Sequence, residues 1–317
     1  MNPPDKLLSL AQSLLMKSDL CQINGFGDSP CWSIRVAGSG ALAVWTEFRD
    51  QAPETNFWPV IVGDMYGPEH GGSDAAVELM AQSATALREM SDKVLDVTRL
   101  KKTTAETLEE ARRLPFLQWA ERQRSKQFLV EEHLRKAAYF DSLEGASSMA
   151  EFHRSAASAL TDFPDKQFDP AEYDLPPKLN HNPPQHELHC LKYFDIKAGE
   201  MRVSDSVTLL FVPTEHSWEV PAYLFYSTLE DERQPQVHVA ALKYLFDSFG
   251  AELVSLDSRM MEVIPKSRPT DATVALQVAV QLNAYSSCPV TSQNVLPKVD
   301  ELAYYLMESE YWSFCWL

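Results

Sequence analysis

Two glutamates and one histidine in the C-terminal third of the chain have side chains suited to acid–base catalysis. Glu252 and Glu262 fall on two short predicted strands joined by a turn, and His238 lies near the start of the preceding predicted helix. A hairpin would bring the carboxylates together, and paired carboxylates can act as general acid and general base. Alternatively, both face solvent from a half-buried sheet, neutralised by Arg259 or Lys266. The first alternative predicts a hydrolase that uses Glu252, Glu262 and His238.

A second group of residues has the side chains of a zinc site. His181, His186, His189 and Cys190 lie within ten residues, and zinc prefers imidazole and thiolate ligands. Their spacing matches no standard zinc motif, and histidines in a proline-rich connector are ordinarily solvated loop residues. If the site forms, it would make the hydrolase metal-assisted. The sequence contains no complete cofactor fingerprint, so we predict no cofactor.

Three aromatic residues near the C-terminus alternate along the chain. On a strand, Trp312, Phe314 and Trp316 point to the same side. Exposed, they would form a binding surface, because tryptophan and tyrosine dominate interface hot spots. Buried, they would anchor the core, and a terminal strand that completes a sheet favours the core.

Alternating helices and strands are predicted to position these residues. Apolar spacing predicts a helix over 237–249, and Gly250 follows it as a C-cap glycine. The next predicted elements are strands over 251–256 and 260–264, a helix from Thr270 to Tyr285, a helix over 297–309 and the aromatic strand. Further upstream, 207–212 and 218–226 are predicted to pair as a hairpin.

The N-terminal half contains a small predicted α/β unit and a long helical segment. The unit comprises a helix over 5–17, a strand over 32–36, a helix capped by Ser39 and a strand over 57–62. Residues 73–159 are helical in pattern, and Pro115 is predicted to split them.

A proline-rich connector divides the predicted domains. Residues 163–187 carry six prolines among aspartate, asparagine and glutamine. We therefore predict an N-terminal unit at 1–162 and a C-terminal α+β domain at 188–317, whose mixed sheet is packed by helices. The predicted fold class is α+β.

The charge of the chain restricts its partners. The chain contains 28 lysines and arginines and 45 aspartates and glutamates, which gives a net charge of −17. Such a field repels phosphate backbones and anionic membranes, so we expect neither nucleic-acid nor membrane binding. The acidity serves either solubility or attraction of a basic protein partner. Pattern alone does not predict the oligomeric state.

Cysteine usage and hydropathy point to a cytoplasmic protein. The five cysteines are odd in number and lack paired spacing, as expected of reduced thiols. The N-terminal residues do not resemble a signal peptide. No apolar run approaches the roughly 20 residues that span a bilayer.

Several C-terminal sequence motifs resemble those of a bacterial family known as domain of unknown function 4253. These are His238 to Leu242, Phe249 to Val254, Glu262-Val263, Tyr285 with Cys288-Pro289, and Trp312 to Trp316. The resemblance covers 207–317, with a weaker N-terminal motif over 36–63. Cys315 replaces an aromatic residue and Leu317 an acidic one. The resemblance implies a fold, a bacterial setting and an association with toxin and immunity genes, but no established chemistry.

These observations lead to two functional hypotheses and leave a third possibility, an inert structural fragment of a larger system. The first is a soluble, acidic protein-recognition or immunity-like module that binds without catalysis, because a strong negative charge accompanies an incomplete catalytic set. The second is the hydrolase of Glu252, Glu262 and His238.

Overall fold

The computed structural model describes residues 3–15, 20–24, 26, 29–63, 72–89, 103–141, 147–162, 186–195, 197–226, 234–257, 260–286, 288–289 and 299–316. Its helices are α1 (Asp5–Leu15), α2 (Ala41–Asp50), α3 (Ala52–Thr55), α4 (Gly72–Glu89), α5 (Thr104–Arg113), α6 (Phe116–Arg124), α7 (Lys126–Asp141), α8 (Ser147–Asp162), α9 (Val220–Tyr223), α10 (Pro235–Phe249), α11 (Ala272–Tyr285) and α12 (Val299–Glu308). Its strands are β1 (Cys21–Ile23), β2 (Cys31–Ala37), β3 (Trp58–Val62), β4 (Lys192–Asp195), β5 (Glu200–Val203), β6 (Ser206–Val212), β7 (Glu252–Leu256), β8 (Met260–Ile264), β9 (Cys288–Pro289) and β10 (Trp312–Cys315).

Eight of these strands form one mixed sheet in the order β1-β2-β6-β3-β7-β8-β10-β9. Strands β3 and β7 run parallel, with Ile61 opposite Ser255, and the other neighbours in the sheet are antiparallel. Strands β4 and β5 form a separate antiparallel pair. Together, the helices and the mixed sheet confirm the predicted α+β class.

The large sheet contains strands from both sides of the predicted connector. Strand β6 lies between β2 and β3, with Leu209 opposite both Ile34 and Ile61. Of the connector itself, 163–185 lie outside the described residues. The division at 1–162 and 188–317 stays a prediction, although strands from both sides hydrogen-bond to one another.

The predicted pairing of 207–212 with 218–226 is wrong. The first segment is β6, which pairs with β2 and β3 instead. The second contains the 3-10 helix Ser217–Glu219 and the short helix α9. Pro221 explains the difference, because it lacks an N–H for a strand ladder but fits the first turn of a helix.

The predicted break at Pro115 is confirmed. Helix α5 ends at Arg113 and α6 begins at Phe116, and Ser125 separates α6 from α7. Thr103 caps α5 in a capping box with Glu106. The long helical segment is therefore a series of shorter helices.

Helices cover both faces of the sheet. Successive side chains of a strand point to opposite faces. On β6, the Thr208 hydroxyl lies 2.8 Å from that of Ser73 on α4, whereas Phe211 packs against Phe48 of α2. Helices α2 and α4 therefore lie on opposite faces. Within the described ranges, no helix is both long and apolar enough to cross a membrane.

Candidate functional site

Glu262 on β8 is fully buried, and four donors surround its carboxylate. Its Oε1 accepts hydrogen bonds from the backbone N–H of His189 (2.8 Å) and from the Ser313 hydroxyl (3.0 Å). Its Oε2 accepts from the backbone N–H of Cys190 (2.9 Å) and from the Ser255 hydroxyl (2.7 Å). A carboxylate that loses water needs replacement donors. The protein supplies them from three separate parts of the chain.

The register of the sheet places the two hydroxyls beside Glu262. Ser255 on β7 and Ser313 on β10 are its direct cross-strand neighbours, so the three side chains share a face. The 3-10 helix at His189–Leu191 approaches the same carboxylate with its backbone. Gly63 permits a close approach of this helix to the end of β3, because a Cβ there would lie 2.6 Å from the Cys190 carbonyl oxygen. The carboxylate therefore joins the sheet to the segment that follows the connector.

The thiol of Cys190 lies in the same buried environment. Burial raises its pKa well above the ordinary value, and the negative charge of Glu262 raises it further. A thiol held in its neutral form is a poor nucleophile and a poor metal ligand. The arrangement therefore suits packing better than reactivity.

Glu252 on β7 is buried in a network with two cations. Its Oε2 accepts from Arg49 Nη1 on α2 at 2.7 Å, and its Oε1 accepts from Lys266 Nζ at 2.6 Å. The Arg49 guanidinium also lies over the Trp45 ring, 5.4 Å from its centroid. The Arg49 side chain is 25% exposed and that of Lys266 60%. Arg49 is thus the better desolvated partner.

Replacing Arg49 with methionine is expected to lower the free energy of unfolding by about 2 kcal/mol, because Glu252 would lose a charge-assisted hydrogen bond while staying buried. Replacing Lys266 with methionine is expected to cost less than about 1 kcal/mol, since water can replace an exposed ammonium. Urea denaturation of both variants measures the difference. Equal losses would show that Arg49 is not the main partner of Glu252.

The two glutamates share a face of the sheet but not their partners. Glu252 is paired with Ile264, which lies two residues beyond Glu262 on β8. That offset is about 7 Å along a strand. Arg49 and Lys266 hold one carboxylate, while backbone amides and hydroxyls hold the other. The predicted neutralisation by Lys266 occurs at Glu252.

His238 lies on α10 in a third environment. It is fully buried, and its Nδ1 is 2.8 Å from the Tyr285 hydroxyl. The rings of Tyr226 and Trp316 are also nearly perpendicular to the imidazole, with ring centroids 5.1 and 4.9 Å away. Glu252, Glu262 and His238 therefore contact three different sets of partners. Their joint catalytic role stays a prediction that these contacts do not support.

The structure describes three of the four predicted metal ligands, and their contacts do not form a shared site. His186 is exposed, with its Nδ1 3.3 Å from Glu310. His189 and Cys190 donate their backbone N–H groups to Glu262. His181 lies outside the described residues. In the described part of the chain, no group of three or more histidine, cysteine or acidic side chains could hold a metal ion.

A different pair of histidines meets between α7 and α8. His133 Nδ1 and His153 Nδ1 are 2.9 Å apart, and the ring centroids are 5.2 Å apart. The centroid distance is about what two imidazoles have when their nitrogens face each other head-on across one hydrogen bond. Such a gap holds a proton and is too short for a metal, which needs about 2 Å to each nitrogen.

The alternating aromatic residues are in the core. Trp312, Phe314 and Trp316 are each at most 1% exposed. The indole N–H of Trp312 donates to the carbonyl of Leu306, and that of Trp316 donates to the carbonyl of Tyr285. With their polar atoms satisfied inside the protein, the three side chains are placed as the core alternative requires. Their use as a binding surface has no exposed area to support it.

Two of the exposed apolar side chains in the described part of the chain lie on the hairpin of β4 and β5. Every residue of β5 is exposed, including Met201 at 55% and Val203 at 56%. These two side chains lie on the same face of the strand, two positions apart. Asp195 and Glu200 lie near the Arg202 guanidinium, each 3.2 Å from its Nε. On β5, one face is therefore apolar and the other charged, while Lys192 of β4 lies opposite Val203 and its ammonium contacts Glu187.

Both ends of this hairpin are fixed to the large sheet. At one end, His189 and Cys190 donate to Glu262. At the other end, Gly38 donates to the carbonyl of Asp205, and a Cβ on Gly38 would lie 1.8 Å from the Ser204 carbonyl oxygen. The Ser204 N–H also donates to the Leu191 carbonyl across the base. The structure thus presents an exposed hairpin on a buried base.

This hairpin is not among the elements predicted from the sequence. A signal was present, because Met201 and Val203 alternate with charged residues as on a half-buried strand. The strands are only four residues long and follow the connector directly. A short alternation of this kind is difficult to distinguish from loop composition.

Comparison with known proteins identifies the C-terminal part of the chain. Residues 208–316 match a family model described as Domain of unknown function (DUF4253). This match confirms the resemblance predicted for that part. No curated protein and no solved structure matches the chain.

Proposed function

We propose that this protein, whose C-terminal part belongs to a domain family of unknown function, is a cytosolic protein-recognition module that acts by binding. The observation that carries the proposal is the exposed β4–β5 hairpin on its buried base. A bacterial immunity-like role is one form that such binding would take.

The fixed base of the hairpin supports recognition. A binding element that is already ordered loses little conformational entropy when it meets a partner. Glu262 and Gly38 hold the two ends of the hairpin in the core. The strand β5 is therefore presented before a partner arrives.

The exposed apolar face of β5 supplies the area that a partner would bury. Met201 and Val203 are both more than half exposed. A partner that covers these two neighbouring side chains would remove their apolar area from water. The net charge of −17 favours a basic partner, because opposite charge steers encounter.

The hydrolase alternative receives less support. Its two carboxylates and its imidazole are buried among separate partners. A general base must reach the substrate proton within hydrogen-bonding distance. Burial of all three groups favours a structural role for each.

Capture of partner proteins from a bacterial lysate tests the proposal. The bait proteins are the wild type, the double variant Met201→Ser with Val203→Ser, and Val274→Ser, which removes a 42% exposed valine from α11. Capture is compared at ionic strengths of about 0.05 M and about 0.5 M. We expect the wild type and Val274→Ser to capture the same protein at low salt. We expect the double variant to capture about tenfold less, as for loss of an interface hot spot.

Two results of this experiment would contradict the proposal. Equal capture by the double variant would show that the hairpin is not the binding element. Capture that does not weaken at high salt would show that the partner does not bind through basic residues. Circular dichroism of each bait protein establishes that the variants are folded.

A further inference from the structure

The outer edge of β5 has backbone groups oriented for another strand. In an antiparallel pair, hydrogen-bonded and non-hydrogen-bonded positions alternate. The Ser204 N–H donates to the Leu191 carbonyl at 2.9 Å, which makes this pair a hydrogen-bonded one. The paired register then makes Arg202 face β4, whereas the N–H and C=O groups of Met201 and Val203 point away from it. Among the described residues, no strand lies on that side of β5.

We propose that β5 receives an extended segment of a partner protein as an added antiparallel strand. This inference rests on the proposed function and specifies how the hairpin binds. The N–H and C=O groups of Met201 and Val203 would supply the hydrogen bonds to the incoming backbone. Because these groups belong to the main chain, the side chains of the partner are free to determine specificity.

The two faces of the hairpin define the sequence that the added strand carries. Residues opposite Met201 and Val203 would lie on the apolar face and are therefore apolar. The residue between them would lie opposite Arg202, on the face that also carries Asp195 and Glu200. Two carboxylates against one guanidinium leave this face negative, so a lysine or arginine fits there. The pattern of the partner segment is apolar, basic, apolar.

A second copy of the chain fits this edge poorly. A second β5 would bring its own Asp195 and Glu200 together with Arg202, so two faces with the same negative charge would lie next to each other. Two copies of charge −17 would also repel each other. A charged residue at a free edge is a common means of preventing self-association.

The first test uses a peptide of the proposed pattern as the probe. The capped peptide Val-Lys-Val-Lys-Val is titrated to millimolar concentration into the ¹⁵N-labelled full chain and followed by NMR. The control peptides are Val-Val-Lys-Lys-Val, which has the same composition, and an alternating peptide with N-methylated valines, which lacks the backbone donors. We expect saturable shifts at the amides of Met201 and Val203 with the first peptide only.

Three outcomes of the titration would contradict the addition of a partner strand to β5. Shifts of equal size with the N-methylated or the reordered peptide would overturn strand addition. Shifts centred elsewhere on the protein would do the same. Concentration-dependent shifts of Met201 and Val203 without peptide would show that a second copy occupies the edge instead.

The second test separates the backbone from the side chains in the capture experiment. Val203→Pro removes one outward N–H and leaves the Arg202 hydrogen bonds to β4, while Val203→Ala keeps that N–H. We expect Val203→Pro to weaken capture by about tenfold relative to Val203→Ala, as for loss of one hydrogen bond at an interface. Protection of the Arg202 amide from hydrogen exchange establishes that the hairpin remains folded.

The two proposals fail in different ways in this experiment. If the Met201→Ser and Val203→Ser double variant loses capture but Val203→Pro matches Val203→Ala, strand addition is wrong and recognition by the hairpin stands. If neither change weakens capture, both proposals are wrong. The N-methylated peptide supplies an independent result, because it removes donors without altering the protein.

Discussion

Replacing Glu262 with alanine is expected to lower the free energy of unfolding by about 3–5 kcal/mol, the range for removing one partner of a buried charged network. The change would leave the backbone N–H groups of His189 and Cys190 without their acceptor in a buried site. It would also remove the acceptor of the Ser255 and Ser313 hydroxyls. Each unsatisfied buried donor costs about 1–3 kcal/mol. Urea denaturation followed by circular dichroism measures the loss.

Two further variants define the cause of the loss. Glu262→Gln keeps the shape but replaces one acceptor oxygen with an NH₂ group facing donors, so an intermediate loss of about 2 kcal/mol is expected. Glu308→Ala removes an exposed glutamate at the end of α12 and is expected to change stability by no more than about 0.5 kcal/mol. Equal effects of Glu262→Ala and Glu308→Ala would contradict the role of the buried carboxylate.

The sign of the Glu262 effect also distinguishes the two functional hypotheses. Active-site residues are often held at a cost in stability, and their replacement then stabilises the protein. A residue that anchors the fold destabilises it when removed. A gain in stability on Glu262→Ala would therefore favour the hydrolase, whereas a large loss favours an anchor for the hairpin.

Local sequence signals predicted the elements whose ends depend on local chemistry. Gly250 ends α10 in the left-handed region, at φ 61°, as the C-cap prediction requires. The strands on either side of Asp257 also form as predicted. Where two capping residues competed, the prediction failed: Asp271 caps α11 instead of Thr270. Aspartate is the better acceptor for the N–H groups of a first turn.

Local sequence signals do not predict which strands pair when the strands are far apart in the chain. The insertion of β6 between β2 and β3 joins residues separated by about half the chain. Nothing in the pattern of an apolar strand specifies which distant strand it meets. The predicted hairpin placed β6 beside its nearest neighbour in sequence, which is the common case. Here the segment that follows β6 contains Pro221 and forms α9, so β6 pairs with the distant strands β2 and β3.

The partners of Glu262 were unpredictable for a related reason. Two of its donors are backbone N–H groups of His189 and Cys190. Every residue except proline has such a group, so residue type gives no indication that it will be used. Side-chain chemistry alone predicts these two residues as metal ligands. In the structure their backbone meets a carboxylate that had been assigned to catalysis.

Raising the pH above about 9 is expected to destabilise the protein strongly, because several buried groups must stay protonated in the fold. Burial raises the pKa of Cys31 from the ordinary 9.0 to about 12. Burial also raises the pKa of Cys190, Tyr226 and Tyr305 above their ordinary values. The unfolded chain releases these protons at lower pH than the folded one. The resulting stability is fully present below pH 9 and is lost as the pH rises through the folded-state pKa.

The contribution of Cys31 can be isolated with a matched pair of variants. One pKa unit corresponds to about 1.4 kcal/mol, so a shift from 9.0 to about 12 amounts to about 4 kcal/mol across that pH interval. Cys31→Ala removes the buried thiol of β2, and Cys21→Ala removes an exposed thiol from β1. We expect the stability of Cys31→Ala to fall less steeply between pH 9 and pH 11 than that of the wild type or of Cys21→Ala. Urea denaturation at each pH gives the three slopes, and identical slopes would show that the Cys31 thiol does not contribute. The slope that remains in Cys31→Ala then belongs to the other buried groups, among them the Cys190 thiol beside Glu262, so Glu262→Gln should reduce it further.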